Sequence, residues 1–257
     1  MFHQQKRQAR ALIALALTAL ALSACTPNTT GEAIFDPYED RNRKVHAFNK
    51  SVDRAFGGGK DNGGGVAKAI PRPVTQGLSN FSSNIDQPAA MMNHIFQGDM
   101  ESALRNFWRV AVNTTVGIGG LFDPASKIGL HDDRTDFGVT LAKWGVPEGA
   151  YVELPFIGPT TERDVGGRIL DTVLNPLQGV IDAEDQRTIT GVKIAARAGD
   201  RARYSETVDS VLYDSADSYA QSRIIYLQNR RGEVGDTAAS DVEADDVYDA
   251  YEDYYDN

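Results

Sequence analysis

The chemistry-bearing residues of this chain are few, and the most distinctive is its one cysteine, Cys25, in the run Leu22-Ser23-Ala24-Cys25. An ionised thiol is a strong nucleophile and is readily alkylated. The remaining groups do not assemble into a recognisable constellation. Four histidines stand apart at His3, His46, His94 and His131. His131-Asp132-Asp133 offers ligand types suited to a metal, and equally the composition of a solvated turn; no second ligand cluster follows at zinc-site spacing. There is no Gly-x-Ser-x-Gly elbow, and the carboxylates carry no specific pairing distance. The expectation is a protein that is not an enzyme and holds no metal or cofactor, with its one covalent event at Cys25.

What surrounds Cys25 defines that event. Lys6, Arg7 and Arg10 make a basic start, Ala11 to Leu22 is an apolar run of 12 residues, and small residues precede the cysteine. This is the layout of a secretory signal peptide. The run is too short to span a bilayer of about 30 Å at about 1.5 Å per residue. Leu-Ser-Ala-Cys resembles the bacterial lipobox, in which the thiol takes a diacylglycerol, the signal is cut before it, and the new amine is acylated. An ordinary signal peptide with a coincidental cysteine is the alternative. Lipidation also accounts for an odd cysteine in an exported chain, and two or more acyl chains hold a protein firmly to a membrane. Thr26 follows, where many Gram-negative bacteria place Asp in lipoproteins kept at the inner membrane. The address implied is the outer membrane, periplasmic face.

The net charge of -10 comes from one end. Between Gly232 and Asn257 lie ten acidic residues and no Lys or Arg. Such a block reads as solvated and disordered, although Tyr248, Tyr251 and Tyr255 fall at helical spacing. No basic run supports nucleic-acid binding. Gly57 to Gly65 reads as a flexible loop; Lys60 is followed by Asp61, unlike a phosphate loop. The organisation expected is a signal peptide over 1–24, a lipidated linker over 25–33, a helical domain over 34–231 and an acidic tail over 232–257.

The elements between are helical by pattern. Asp36 and Pro37 read as cap and first position of a helix with Val45, Phe48, Val52, Ala55 and Phe56 on one face. Pro88 opens a second, closed by Gly98. Asp99 caps a third, with Met100, Ala103, Leu104, Phe107, Trp108 and Ala111 on one side and Glu101, Ser102, Arg105, Asn106, Arg109 and Asn113 on the other. Asp123-Pro124 starts a short helix, and Thr135 to Trp144 another, stopped at Gly145. Tyr151 to Phe156 is extended. Thr161 caps a helix to Leu174, loosened at Gly166-Gly167, and Asp182 to Arg231 is mostly helical with breaks near Gly199 and Asp214. The class is mainly α, without the strands for a barrel.

The hairpin of residues 88–97 and 99–113 has two readings. Met91, Met92, Phe96, Phe107 and Trp108 form either a core-facing surface or a membrane-interface face, where an indole beside Arg109 suits the bilayer boundary.

Collinear motifs then point to a family. Asp36-Pro37-Tyr38-Glu39, Phe48-Asn49, Pro71-Arg72-Pro73-Val74, Gly77-Leu78-Ser79-Asn80-Phe81, Leu104-Arg105-Asn106-Phe107, Asn113 through Asp123, Asp136 through Leu141, Trp144-Gly145-Val146, Tyr151 through Pro159 and Arg163-Asp164 occur in order. The chain resembles the MlaA (VacJ) family over roughly residues 34 to 231. The resemblance implies a ring-like bundle of short amphipathic helices embedded in the inner leaflet of the outer membrane. Phospholipids that have strayed into the outer leaflet enter its channel and pass to a periplasmic lipid carrier, MlaC, with trimeric porins as outer-membrane partners. A passive envelope scaffold is the alternative. In the family a glycine-bearing loop follows the Trp-Gly-Val motif; Gly145 and Gly149 match it, whereas Pro147 and Glu148 depart from it. That turn is either a gate to the channel or a helix stop.

Overall fold

The computed structural model describes Thr26, Asn28 and residues 33–56, 58–59 and 70–235. The signal segment, Cys25, most of the Gly57–Gly65 loop and the tail beyond Gly235 lie outside the described residues.

Helix α1 runs Glu39–Ala55, and Asp36 does not cap it. Its carboxylate instead accepts from Arg223 Nη1 (2.5 Å), from Asn42 Nδ2 (2.9 Å) and from the Tyr219 hydroxyl. A guanidinium is a stronger partner than a helix amide, so the cap is given up for an ion pair to the far end of the chain. The expected apolar stripe is not the buried one either. Asn42 and His46 are buried, while Phe48 and Phe56 are exposed.

Helix α2 runs Arg72–Phe96, with Pro88 inside it. The start expected at Pro88 is therefore corrected to Arg72, where Pro73 serves the first turn. An interior proline removes one backbone hydrogen bond and costs about 3 kcal/mol in isolation. Packing against two other helices offsets this here, since α2 lies between α3 (Met100–Thr115) and α7 (Ala183–Arg203). Gly98, at φ 77°, turns the chain from α2 into α3, and Asp99 caps α3 by accepting from Ser102 N (3.0 Å). Asp123 likewise caps α4 (Pro124–Lys127), and Asp136 caps α5 (Phe137–Lys143).

A two-stranded antiparallel hairpin follows, β1 (Tyr151–Leu154) and β2 (Gly158–Thr161), with Tyr151 opposite Thr161. Thr161 caps α6 (Glu162–Leu174). Gly167 does not loosen α6. A Cβ there would stand 2.4 Å from the Gly138 amide nitrogen, so its bareness is what lets α6 press against α5. A 3-10 turn over Pro176–Gly179 leads to α7, which passes unbroken through Gly199 because that position abuts Thr75 of α2. The chain breaks instead at Tyr204, before α8 (Ser205–Leu212), and near Asp214, before α9 (Ser218–Val234). Helix α9 carries the folded domain a few residues past the expected boundary at Arg231.

Two small apolar clusters are buried. One joins Phe137, Leu141, Val146 and Leu170; the other joins Tyr151, Tyr219 and Leu227. The rest of the interior is largely polar, including Asn84, Gln87, Asn93, Asn106, Arg109, Asn113, Arg163, Asp164, Arg230 and Arg231. No helix among the described residues is long and apolar enough to cross a membrane.

Candidate functional site

Helix α3 shows how the polar interior arises. Ser102, Asn106, Arg109 and Asn113 fall on one face, and that face points inward: Asn106 is 0% and Arg109 2% exposed. The opposite, apolar face points outward, with Met100 at 63%, Leu104 at 57%, Phe107 at 49% and Trp108 at 51%. A helix of a water-soluble core is oriented the other way. Of the five side chains singled out from sequence, Phe96, Phe107 and Trp108 are exposed, and Met91 and Met92 are half-buried. The core-facing reading is thus corrected for Phe107 and Trp108, whereas Phe96, 37% exposed, still packs edge-on against the buried Phe137. The exposed apolar surface continues through the turn after α3, at Val116, Ile118, Leu121, Phe122 and Ile128. Ile118 takes φ 53° there, an uncommon conformation for a β-branched residue.

Most of the inward polar groups pair with one another, although Gln87 Oε1, Asn106 Oδ1 and Arg109 Nε are buried without a hydrogen-bond partner among the described residues. Arg109 reaches Asp123 Oδ2 (3.2 Å), Ser126 Oγ (3.0 Å) and the Leu130 carbonyl. Asn113 Nδ2 donates to Asp123 Oδ1 (2.9 Å), and Asn106 Nδ2 to the Asp133 carbonyl (3.0 Å). From α2, Ser83 Oγ and Gln87 Nε2 donate to Asp132 at 3.1 and 2.5 Å. His131-Asp132-Asp133 thereby lies in an irregular segment fastened through Asp132 and Asp133, and no cluster of three or more metal-ligating side chains occurs among the described residues.

These groups line two neighbouring pockets that share part of their walls. One chamber of about 280 Å³ lies among Gln76, Ser79, Asn80, Asn113, Asp123 and Arg203. A second, of about 700 Å³, lies among Gln87, Asn93, Thr135, Arg168, Asp171 and Arg197. Ser79, Ser83, Arg134 and Asp200 line both. The walls thus come from α2, α3, α6, α7 and the 123–136 segment. Burial pushes the Asp171 carboxyl up, and hydrogen bonds from Asn93 and the Phe137 amide only partly offset it.

Beyond the chambers a second polar network ties α9 to α5 and α6. Arg230 donates to Asp164 Oδ1 (2.8 Å) and Asp136 Oδ1 (2.6 Å), and the Tyr226 hydroxyl donates to Asp164 (2.5 Å). Burial alone would raise the Asp164 carboxyl, but the Arg230 guanidinium holds it below the usual carboxylate range. Sequence reading missed one further grouping. His46 stands 3.1 Å from Glu153 Oε1 and 3.0 Å from Ser218 Oγ, the order of a hydrolytic triad. The amides of Tyr219 and Ala220, where a helix N-terminus would bind an oxyanion, already donate to Asp217 Oδ1. The grouping therefore fastens α1 to β1 and α9.

The glycine turn has the geometry of a helix stop. Gly145, at φ 87°, donates to the Ala142 carbonyl, and Val146 N to that of Leu141, both at 2.9 Å. Val146 is buried, Glu148 is paired with Arg231 at 2.8 Å, and Gly149 follows at φ 73°. Neither glycine lines the polar chambers.

Helices with a polar centre and an apolar outside define a class of protein suited to a membrane leaflet. Comparisons give the family. The model of the MlaA lipoprotein family matches residues 34–233. The Escherichia coli K12 protein named intermembrane phospholipid transport system lipoprotein MlaA is 35% identical over 228 residues, covering 84% of this chain and 86% of the relative. An uncharacterised protein of Rickettsia bellii is 36% identical over 78% of this chain and 77% of its own. A solved structure described as the structural basis for maintenance of bacterial outer membrane lipid asymmetry aligns with TM-score 0.63 at 30% identity, over 77% of this chain and 98% of that one. This chain belongs to the MlaA lipoprotein family.

Proposed function

We propose that this protein sits in the inner leaflet of the outer membrane and draws mislocalised phospholipids from the outer leaflet through its polar chambers. It passes them to a periplasmic carrier of the MlaC type, which maintains lipid asymmetry, and it acts without catalysis. The observation that carries the reading is the reversed orientation of α3. A fully exposed Leu or Phe forgoes roughly 1.5–3 kcal/mol of burial, and the outward residues from Met100 to Ile128 repeat that cost many times. Seating them among acyl chains recovers it. With no spanning helix among the described residues, such seating occupies one leaflet. Acyl chains on Cys25 supply the anchor. Its neighbour Thr26 is held to the body through Glu162, by a backbone contact of 2.6 Å and a hydroxyl contact of 2.9 Å.

The polar walls serve the cargo. A phospholipid headgroup crossing hydrocarbon loses its hydration at high cost, and hydroxyls, amides and paired charges replace part of it. A trimeric porin is the partner expected at the apolar outside.

The test is outer-leaflet phospholipid on intact cells lacking this protein, read by palmitate transfer onto lipopolysaccharide. A rise reversed by the wild-type chain and not by Cys25→Ala supports retrieval from an anchored position. No rise, in a strain with no second copy of the system, favours the passive scaffold.

A further inference from the structure

Two spaces of opposite character meet at two side chains, Ile157 and Arg197. The larger polar chamber shares Ile157 and Arg197 with a separate cavity of about 440 Å³ between α1, the β1–β2 connection and α7. That second cavity is apolar over much of its wall, through Val52, Phe56, Phe156, Ile194 and Leu212.

The cations near this junction are mostly committed. Arg201 is bound to Asp53 (2.7 and 2.8 Å) and Asp209 (2.5 Å), Arg203 donates to Gln76 (2.6 Å), and Lys193 is paired with Asp86. Arg197 differs. It is exposed, and it makes no side-chain hydrogen bond or ion pair with any described residue. An unpaired guanidinium is a fork for two oxygens of a phosphate. The apolar side of the junction suits hydrocarbon, and the polar side suits what hydrocarbon rejects. The ligand that matches all three is an amphiphile with an anionic phosphodiester between its two halves.

We propose that Arg197 is a phosphate-binding residue at which a glycerophospholipid is held across the junction, its headgroup in the polar chamber and acyl chain in the Phe56–Ile194 cavity. This rests on the phospholipid-handling function proposed above and adds a defined resting site to it. The lipid pauses there with its phosphate on Arg197 before release.

The test uses the purified, full-length lipidated protein in a neutral detergent. Bound ligand is measured for two probes with the same acyl chains, phosphatidylethanolamine and diacylglycerol. Arg197→Gln is expected to weaken phosphatidylethanolamine about tenfold, leave diacylglycerol unchanged and leave Tm unchanged. Ala198→Trp, which fills the apolar cavity, is expected to weaken both probes. Excess inorganic phosphate is expected not to displace the phospholipid.

Equal phosphatidylethanolamine binding by wild type and Arg197→Gln overturns the site while leaving the transport reading intact. Loss of both probes in Arg197→Gln, or a lowered Tm, overturns it too, by showing a packing role. Full displacement by phosphate reduces the site to a plain anion pocket. A wild-type protein that binds no phospholipid overturns the functional reading itself.

Discussion

At the scale of single residues, two buried aspartates pull stability in opposite directions with pH. Asp164 has a depressed folded pKa because Arg230 outweighs its desolvation. Its contribution is fully present above the unfolded value near ~3.9 and is lost as pH falls through the lower folded value. Asp171 has a raised folded pKa, from burial and the nearby Asp136 charge. It therefore takes up its proton more readily when folded, and its ionisation costs stability as pH rises from ~3.9 through the folded value. Arg230→Ala, which leaves Asp164 buried without its cation, is expected to lose about 3–5 kcal/mol in thermal unfolding. Asp171→Asn keeps an acceptor for the Phe137 amide and is expected to unfold within about 1 kcal/mol of wild type at neutral pH, or above it. A large loss for Asp171→Asn would show that its charge is stabilising, contrary to the direction of its shift.

Elements show what the sequence made legible. Helices α3 to α6 start where Asp99, Asp123, Asp136 and Thr161 stand, because a short side-chain oxygen before a helical pattern has a local job. Asp36 has the same signature and fails, since its partner Arg223 lies 187 residues away and no local pattern reveals it. Pro88 misleads for a similar reason, as contacts with α3 and α7 carry the helix through it. The orientation of α3 left a trace that pattern alone does not weigh. Its inward face uses Asn and Ser where a solvated face would use Lys and Glu, and α2 contains no Lys or Glu at all. In the unacylated Cys25→Ala background, Phe107→Glu and Trp108→Glu, on the outward face, are each expected to weaken membrane association in a flotation assay with little change in helicity. Asn106→Leu, on the inward face, is expected to destabilise by about 0.5–1.5 kcal/mol by removing one of the two donors to the Asp133 carbonyl, which keeps His94 Nε2. The reverse pattern would mean that α3 faces a conventional core. Ala at Gly145 and Gly149 puts a side chain at positive φ, at roughly 1–2 kcal/mol per residue. With the turn pinned by Val146 and Glu148, the double variant is expected to lower Tm and leave lipid asymmetry intact. Altered asymmetry at unchanged Tm would favour the gate over the helix stop.

For the whole molecule, the collinear motifs supplied what periodicity could not. Asp36, Asn106, Asn113, Asp123, Asp136 and Asp164 belong to those motifs, and all are members of the buried or half-buried polar networks. The family resemblance was therefore written in the residues that make the inside polar. The chamber walls were not legible, because Arg134, Arg168 and Arg197 come from three separate segments and meet only in the fold. A protein assembled this way is proposed to meet lipid at its outside and to carry lipid through its inside.

Photo-crosslinking in living membranes separates those two. A photoreactive residue placed at Ser83, in the polar chambers, and at Phe107, on the outer face, is irradiated in cells with radiolabelled phospholipid. Adducts are expected at both positions, with the Ser83 adduct rising when the downstream carrier is absent. Lipid captured at Phe107 and never at Ser83 would contradict passage through the molecule and leave only a lipid-seated scaffold.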